Sequence, residues 1–338
     1  MNLSGEKRIQ VRDVARAANV SVATVSRVLN GKDTERFSTA TAERVRAAAR
    51  ELKFIPSELG RQLRTADARA VALLVPDTAN GFCADVASSL EPALQEVGLS
   101  MLLCNTSEIP ERQDQYLRQM VNRGISAFIL LGAVESDYLL ELSNSGKTLV
   151  FINRRPPSPI AGHFVGIDNI AAGRAVADHF IAKNYGDCAM IHGPQRYAAS
   201  AERLIGFSAR LREAGIDLPV TRCLESALTP DAGYEKAKIL LNNPNRPRAI
   251  FCGNDSIAYG VHRACLEARL CVSEDLAIFG FDDNRLNQWL APWLSTVHVP
   301  VQDFGPTIAE LLQERREGAN QTPITALLPF SLVLRNSA

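Results

Sequence analysis

Val-Arg-Asp-Val-Ala-Arg-Ala-Ala-Asn-Val-Ser-Val-Ala-Thr-Val-Ser-Arg-Val-Leu-Asn, residues 11–30, holds two helical periods separated by a break. Val11, Val14, Ala15 and Ala18 recur at the spacing of one buried helix face. Asn19-Val20 interrupts the run, and Ser21 suits the N-cap of a second helix over 22–29, because its hydroxyl can accept a first-turn backbone N–H. Val25, Val28 and Leu29 then point inward, Thr24, Ser26 and Arg27 point outward, and Asn30-Gly31 stops the helix. A polar loop over 32–36 leads to Ser38, the expected cap of a third helix over 39–52 with Val45, Ala48, Ala49 and Leu52 inside; Pro56 ends it. Two helices joined by so short a turn can seat the second in a DNA major groove. The same spacing also describes a purely structural helical hairpin.

Charge favours the first reading. The 338 residues carry no net charge, yet residues 1–69 hold 14 Lys+Arg against 8 Asp+Glu, and residues 70–338 hold 23 against 29. A basic head on an acidic body points to a polyanion partner for the head alone. Hydrophobic residues at 46% and charged ones at 22% describe a globular chain with a proper core. No apolar run reaches the roughly 18–20 residues of a membrane helix. The polar start lacks a signal peptide's apolar segment, so a cytoplasmic, nucleoid-associated protein without membrane contact is expected. The seven cysteines (83, 104, 188, 223, 252, 265, 271) show no Cys-x-x-Cys spacing, which argues for packed thiols and against disulfides or zinc.

Residues 56–69 read as a hinge, with Leu59 and Leu63 on one face of a short helix that is marginal unless docked. From residue 70 the pattern changes. Short apolar runs at 71–75, 100–104, 127–131, 148–152, 164–167, 189–191, 222–224, 249–252, 277–281 and 296–299 alternate with amphipathic helices, and a late strand is expected over 327–334. Continuous apolar runs are the mark of strands covered on both faces, so the body is a doubly wound parallel α/β structure. Its size favours two lobes, the first over about 70–165 and 296–322, the second over about 166–295 and 323–338. The chain thus divides into a helix-turn-helix head over 1–55, the hinge over 56–69, and the body over 70–338.

Open parallel sheets bind ligands beyond the carboxyl ends of their strands. Polar residues collect there: Asn80 and Phe82 after the first run, Asn153-Arg154 after the fourth, Asn254-Asp255 and Asp282-Asp283 after two later ones. Arg203, early in a helix after Gly193-Pro194, would reach the same cleft. Carboxylate, amide and guanidinium together can satisfy neighbouring hydroxyls, and an aromatic such as Phe82 can cover a sugar face. For Asp255 and Asp283, helix capping or interlobe bonding is an equal reading, and Trp289 stands between pocket and core. Catalysis finds no support: there is no Gly-x-Gly-x-x-Gly or Walker loop after a strand, no His-Glu-x-x-His, no Gly-x-Ser-x-Gly elbow, and the five histidines (163, 179, 192, 262, 298) are dispersed.

The residues themselves carry a resemblance. The stretch 11–30 closely resembles the headpiece of the lactose repressor/galactose repressor family, and the likeness continues at Ser38-Thr39-Ala40-Thr41, Arg44-Val45, Glu51-Leu52, Pro56 and Arg61-Gln62-Leu63-Arg64-Thr65. It reappears at Val75-Pro76-Asp77, Leu103-Cys104-Asn105-Thr106, Asp168-Asn169, Arg203 with Gly206-Phe207, Asn254-Asp255, Gly280-Phe281-Asp282-Asp283 and Leu334-Arg335, in the family's order. The resemblance implies a periplasmic-binding-protein-like body. It makes Val22 and Ala23 the base readers, small apolar side chains suited to thymine methyl groups. Thr24 and Ser26 would meet phosphates, Arg27 a base or phosphate, Asn30 completes the set, and Leu63 is the minor-groove wedge. Arg203, Asn254 and Asp282 become the expected effector contacts, with Phe82, Asn80 and Trp289 beside them. The chain departs from the family at Ser57 and Gly60 in the hinge, at Gln10 as first cap, in a longer loop before Ser38, and at Asn80-Gly81-Phe82-Cys83.

The function so implied is a sequence-specific transcriptional repressor of a carbohydrate-utilisation operon. It would be a homodimer or tetramer on a pseudo-palindromic operator, with no cofactor and a sugar-like effector between the lobes. A neutral sugar is the first choice; a sugar acid, sugar phosphate, nucleobase or phosphorylated partner protein are alternatives. A periplasmic sugar carrier would show a signal peptide and no basic head. An α/β enzyme with a DNA-binding head would show a nucleophile or cofactor motif. Neither signature is present.

Overall fold

The computed structural model describes residues 9–29, 38–54, 70–318 and 322–338. Asn30, the loop over 32–36, and the hinge with Leu63 lie outside the described residues. The chain divides into two compact units, Met1–Asp67 and Ala68–Ala338.

The first unit contains α1 (Val11–Ala18), α2 (Val22–Leu29) and α3 (Thr39–Glu51). Val14, Val25 and Val45, one from each helix, are fully buried at its centre, with Ala15, Ala18, Val28, Ala48 and Ala49 around them. Ser21 Oγ accepts the Thr24 backbone N–H at 3.1 Å, and Ser38 Oγ accepts that of Thr41 at 3.3 Å, so both serine caps form. At α1 the weak cap Gln10 is compensated from within the helix: its backbone N–H donates to Asp13 Oδ2 at 2.8 Å. Asn19 takes φ 50°, the left-handed turn that ends α1.

The second unit is built on two six-stranded sheets, ordered β11-β5-β4-β3-β1-β2 and β12-β10-β9-β8-β6-β7. The first holds β1 (Ala70–Val75), β2 (Ser100–Asn105), β3 (Ala127–Leu131), β4 (Thr148–Ile152) and β5 (His163–Gly166). Its helices in chain order are α4 (Gly81–Glu96), α5 (Pro110–Asn122) and α6 (Asp137–Ser143). The second holds β6 (Cys188–His192), β7 (Cys223–Glu225), β8 (Ala249–Cys252), β9 (Ala277–Asp282) and β10 (Ser295–His298). α7 (Asn169–Ala182), α8 (Ala198–Glu213), α9 (Pro230–Leu241), α10 (Asp255–Glu267) and the short α11 (Asn287–Leu290) accompany it. α12 (Val301–Arg316) returns to the first lobe and packs on α4, where Gly305 N donates to Ser89 Oγ at 3.0 Å. All pairings are parallel except β10 with β12.

Two expectations about the lobes need correction. Residues 296–298 belong to the second sheet, because β10 pairs with β9 and Thr296 donates from its hydroxyl to Asp255. The late strand is two strands, β11 (Thr325–Leu327) beside β5 in the first sheet and β12 (Ser331–Val333) beside β10 in the second. Pro329, which has no N–H to donate, lies in the crossing between them. The chain therefore passes between lobes three times: after β5, after β10 and after β11.

Candidate functional site

Strands β1, β3 and β4 of one sheet and β7, β8 and β9 of the other end at a common cleft of about 60 Å3. Five of the six expected effector residues line it: Asn80, Phe82, Arg203, Asn254 and Asp282. Trp289 does not. It sits on α11, 74% exposed, between Leu286 at 50% and Leu290 at 75%. The inward side of that segment is held by Asn287, fully buried and bonded to Asp255 and Tyr259.

Asp282 ends β9 at φ 104°, a conformation costing a non-glycine residue about 1–3 kcal/mol. Among the described residues no group donates a hydrogen bond to its carboxylate. Desolvation pushes this carboxyl up to about 7; nearby Arg203 opposes the shift and Asp255 adds to it. Arg203 is buried and anchored on its own lobe. Nε donates to Asn169 Oδ1 at 2.9 Å, Nη1 donates to the Gly253 carbonyl at 2.6 Å, and the guanidinium lies 3.4 Å over the Phe281 ring. Burial lowers its pKa to about 10, with Asp282 the largest influence in the other direction.

The two asparagines are committed to helix caps. Asn80 Oδ1 accepts from Phe82 N at 2.9 Å, and Asn254 Oδ1 accepts from Ile257 N at 2.9 Å. Each retains its amide NH2 as a donor; that of Asn254 only grazes the Leu228 carbonyl at 3.5 Å. From the opposite wall come Asn153 and Arg154, which the sequence places beyond the fourth run. Asn153 is buried, stands at φ 60°, and its Oδ1 has no hydrogen-bond partner. Sequence reasoning missed Glu108 and Tyr197. The Tyr197 hydroxyl donates to Glu108 across 89 residues of chain, a contact no local pattern announces.

The neighbouring carboxylates are structural. Asp255 accepts from Thr296 Oγ1 at 2.6 Å, Asn284 N at 2.8 Å and Asn287 Nδ2 at 2.7 Å. Asp283 pairs with Arg335 at 2.9 Å and His298 at 3.0 Å. Asp255→Ala would strand two buried donors and one half-buried one, so it is expected to cost about 3 kcal/mol, read as a lowered midpoint in urea with an unchanged slope. A larger groove of about 660 Å3 borders α4 and α12, and four of its charged groups are already paired, Asp85 with Arg285 and Asp283 with Arg335. The smaller cleft is lined by Asn153, whose Oδ1 is one of two buried side-chain atoms without a hydrogen-bond partner among the described residues.

In the first unit, Val22 is 46% exposed, and Ala23 and Arg27 are also exposed at α2. Thr24 and Ser26 are half-buried, and the Thr24 hydroxyl shares a 2.9 Å hydrogen bond with Ser21. Exposed valine, alanine and arginine along one short helix form a surface that the head's own core does not use. Among the described residues no cluster of three or more His, Cys, Asp or Glu could hold a metal ion, and no helix is long and apolar enough to cross a membrane.

Comparison with known proteins agrees with both units. Residues 10–57 match the model for bacterial regulatory proteins of the lacI family, and residues 177–338 that for a periplasmic binding protein-like domain. The ribose operon repressor of Escherichia coli (strain K12) is 30% identical over 308 residues, covering 90% of this chain and 92% of its own. The HTH-type transcriptional repressor PurR of Photobacterium profundum is 30% identical over 330 residues, covering 97% and 98%. The structure of a transcriptional regulator CelR–cellobiose complex superposes with TM-score 0.72 at 29% identity, over 98% of this chain and all of that one. A helix-turn-helix head with an unspent surface, joined in one chain to a two-lobed body of this kind, makes this protein a DNA-binding transcriptional regulator of the lacI family.

Proposed function

We propose that the chain is a cytoplasmic, homodimeric repressor of a carbohydrate-utilisation operon, released from or held on its operator by a polyhydroxylated effector between the lobes. The observation that carries the effector class is the pair of unspent acceptors on facing walls, the Asp282 carboxylate and Asn153 Oδ1. Acceptors left open in a desolvated cleft call for a ligand rich in donors, and hydroxyls supply them. Arg203 and the amide groups of Asn80 and Asn254 offer donors in return, and Phe82 offers an apolar face. The ribose operon repressor and the cellobiose-bound regulator support the same class. The protein acts by binding, with no catalytic step.

At about 60 Å3 the cleft holds roughly two water molecules, far less than the roughly 300 Å3 of ordinary ligand pockets. The lobes must part to admit an effector, and the three crossings are the segments that join them. Effector control is then differential affinity for two body states, of which only one suits paired headpieces. Val22, Ala23 and Arg27 read and grip each half-site, Thr24, Ser26 and Asn30 support the phosphate contacts, and Leu63 wedges the operator centre.

Leu286, Trp289 and Leu290 form an exposed apolar patch suited to a second copy of the chain, as a two-half operator requires. Leu290→Glu combined with Trp289→Glu is expected to shift the protein from dimer to monomer in sedimentation velocity; an unchanged dimer would place the interface elsewhere. The function itself is tested by thermal-shift screening of the full chain against a metabolite panel, followed by operator binding with each hit. A regulator of this kind yields at least one hit that changes operator affinity; hits without any such change would contradict it.

A further inference from the structure

We infer that the effector is a hydroxylated carboxylic acid, its carboxylate seated on Arg154 and a hydroxyl beside it on Asn153. This rests on the cleft reading above and narrows it from polyols to acidic ones.

The charged residues lining the cleft are two guanidiniums, Arg154 and Arg203, and one carboxylate, Asp282. Arg203 and Asp282 belong to the second lobe, and of the two guanidiniums Arg203 influences the Asp282 carboxyl the more strongly. Arg154 is left as the cation of the first-lobe wall. Its side chain is only 14% exposed, so its charge is poorly served by solvent.

The surroundings of Arg154 hold it in place without using it up. Nη1 donates to Glu108 Oε1 at 2.6 Å, and the guanidinium lies 3.8 Å over the Tyr197 ring. Glu108 divides its charge, because its other oxygen accepts the Tyr197 hydroxyl. A further cation, Arg196, sits on the same ring at 4.6 Å and donates to the Tyr197 hydroxyl at 2.8 Å. Around Tyr197 there are thus two guanidiniums to one carboxylate. Nε and Nη2 of Arg154 make no hydrogen bond among the described residues. Those two groups form one edge of the planar fork, the edge that takes a carboxylate through two parallel hydrogen bonds.

Asn153 precedes Arg154 and supplies the complementary half. Its buried Oδ1 is an acceptor without a donor, held at φ 60°. An acceptor next to an open guanidinium edge matches a carboxylate with a hydroxyl close by, on the adjacent carbon as in aldonates or one carbon further as in uronates. A phosphate monoester fits less well. It brings about −1.5 to −2 charge and three strong acceptor oxygens, more than the lining's single surplus charge and one open edge satisfy.

The test uses the full chain and matched pairs: D-glucose with D-glucuronate, D-galactose with D-galacturonate, D-glucitol with D-gluconate, and D-glucose 6-phosphate as the phosphate arm. Binding is measured by thermal shift and titration calorimetry. At least one acid is expected to bind tenfold or more tighter than its neutral partner. Arg154→Gln should bring that pair within threefold, Arg154→Lys should keep part of the preference, and Asn153→Ala should weaken both members. Far-ultraviolet circular dichroism on each variant separates lost selectivity from lost fold. Equal or tighter binding of the neutral partners, tighter binding of the phosphate, a preference surviving Arg154→Gln, or no binding of any acid each overturns the proposal. If neutral polyols bind and lose that binding in Asp282→Asn, the cleft reading stands while the acid inference falls.

Discussion

Asp282→Asn is expected to abolish the effector response while leaving operator affinity at the wild-type level. The substitution keeps the side chain's size, and asparagine tolerates the positive φ that this position imposes. What it removes is an ionisable acceptor with no internal hydrogen bond to lose, so the folded body is spared. What it adds is an amide N–H facing the cleft's donors, with Arg203 losing the negative charge that influences it most. Truncating one side of a desolvated polar contact costs about 2–5 kcal/mol, which at 1.4 kcal/mol per factor of ten is roughly 30- to 3,000-fold in effector affinity. Fluorescence anisotropy on labelled operator, with and without effector, checks both halves. A variant that still responds would move the effector site out of this cleft.

Removal of residues 1–69 is expected to eliminate operator binding altogether and to leave a folded body that binds effector with unchanged affinity. The chain divides into compact units at 67/68, and the head has its own core of Val14, Val25 and Val45. The cut also changes the charge from zero overall to the −6 of the remaining body, which repels DNA. Loss here goes beyond the few hundred-fold of a single contact, because non-specific attraction goes with the specific one. Any footprint retained by residues 70–338 would contradict the division of labour.

Much of this was legible in order along the chain. The head's inner face is written at helical spacing, and Ser21 and Ser38 do as caps what their position foretells. The apolar runs match strands to within a residue or two, since strands buried on both faces need continuous apolar residues. The three-fold crossing between lobes was less readable. Residues 296–298 look like any apolar run, and only the Thr296–Asp255 bond and pairing with β9 assign them to the second sheet. Trp289 failed as a cleft residue because a tryptophan has no local mark that distinguishes pocket, core and interface. Asn80 and Asn254 reach the cleft as helix caps, a double role that sequence spacing does not separate. The Glu108–Tyr197–Arg154 cluster joins three distant loops, and nothing within any of them points to the others.

The central claim is that cleft occupancy and operator grip are one equilibrium seen from two sites. Linkage makes this measurable: the factor by which an effector changes operator affinity must equal the factor by which operator changes effector affinity. Titration calorimetry of effector into the full chain, alone and saturated with operator duplex, set beside anisotropy titrations with and without effector, gives both factors. Equal factors of at least tenfold, both collapsing to one in Asp282→Asn, are the predicted result. A ligand that fills the cleft tightly yet leaves operator affinity unchanged would contradict it.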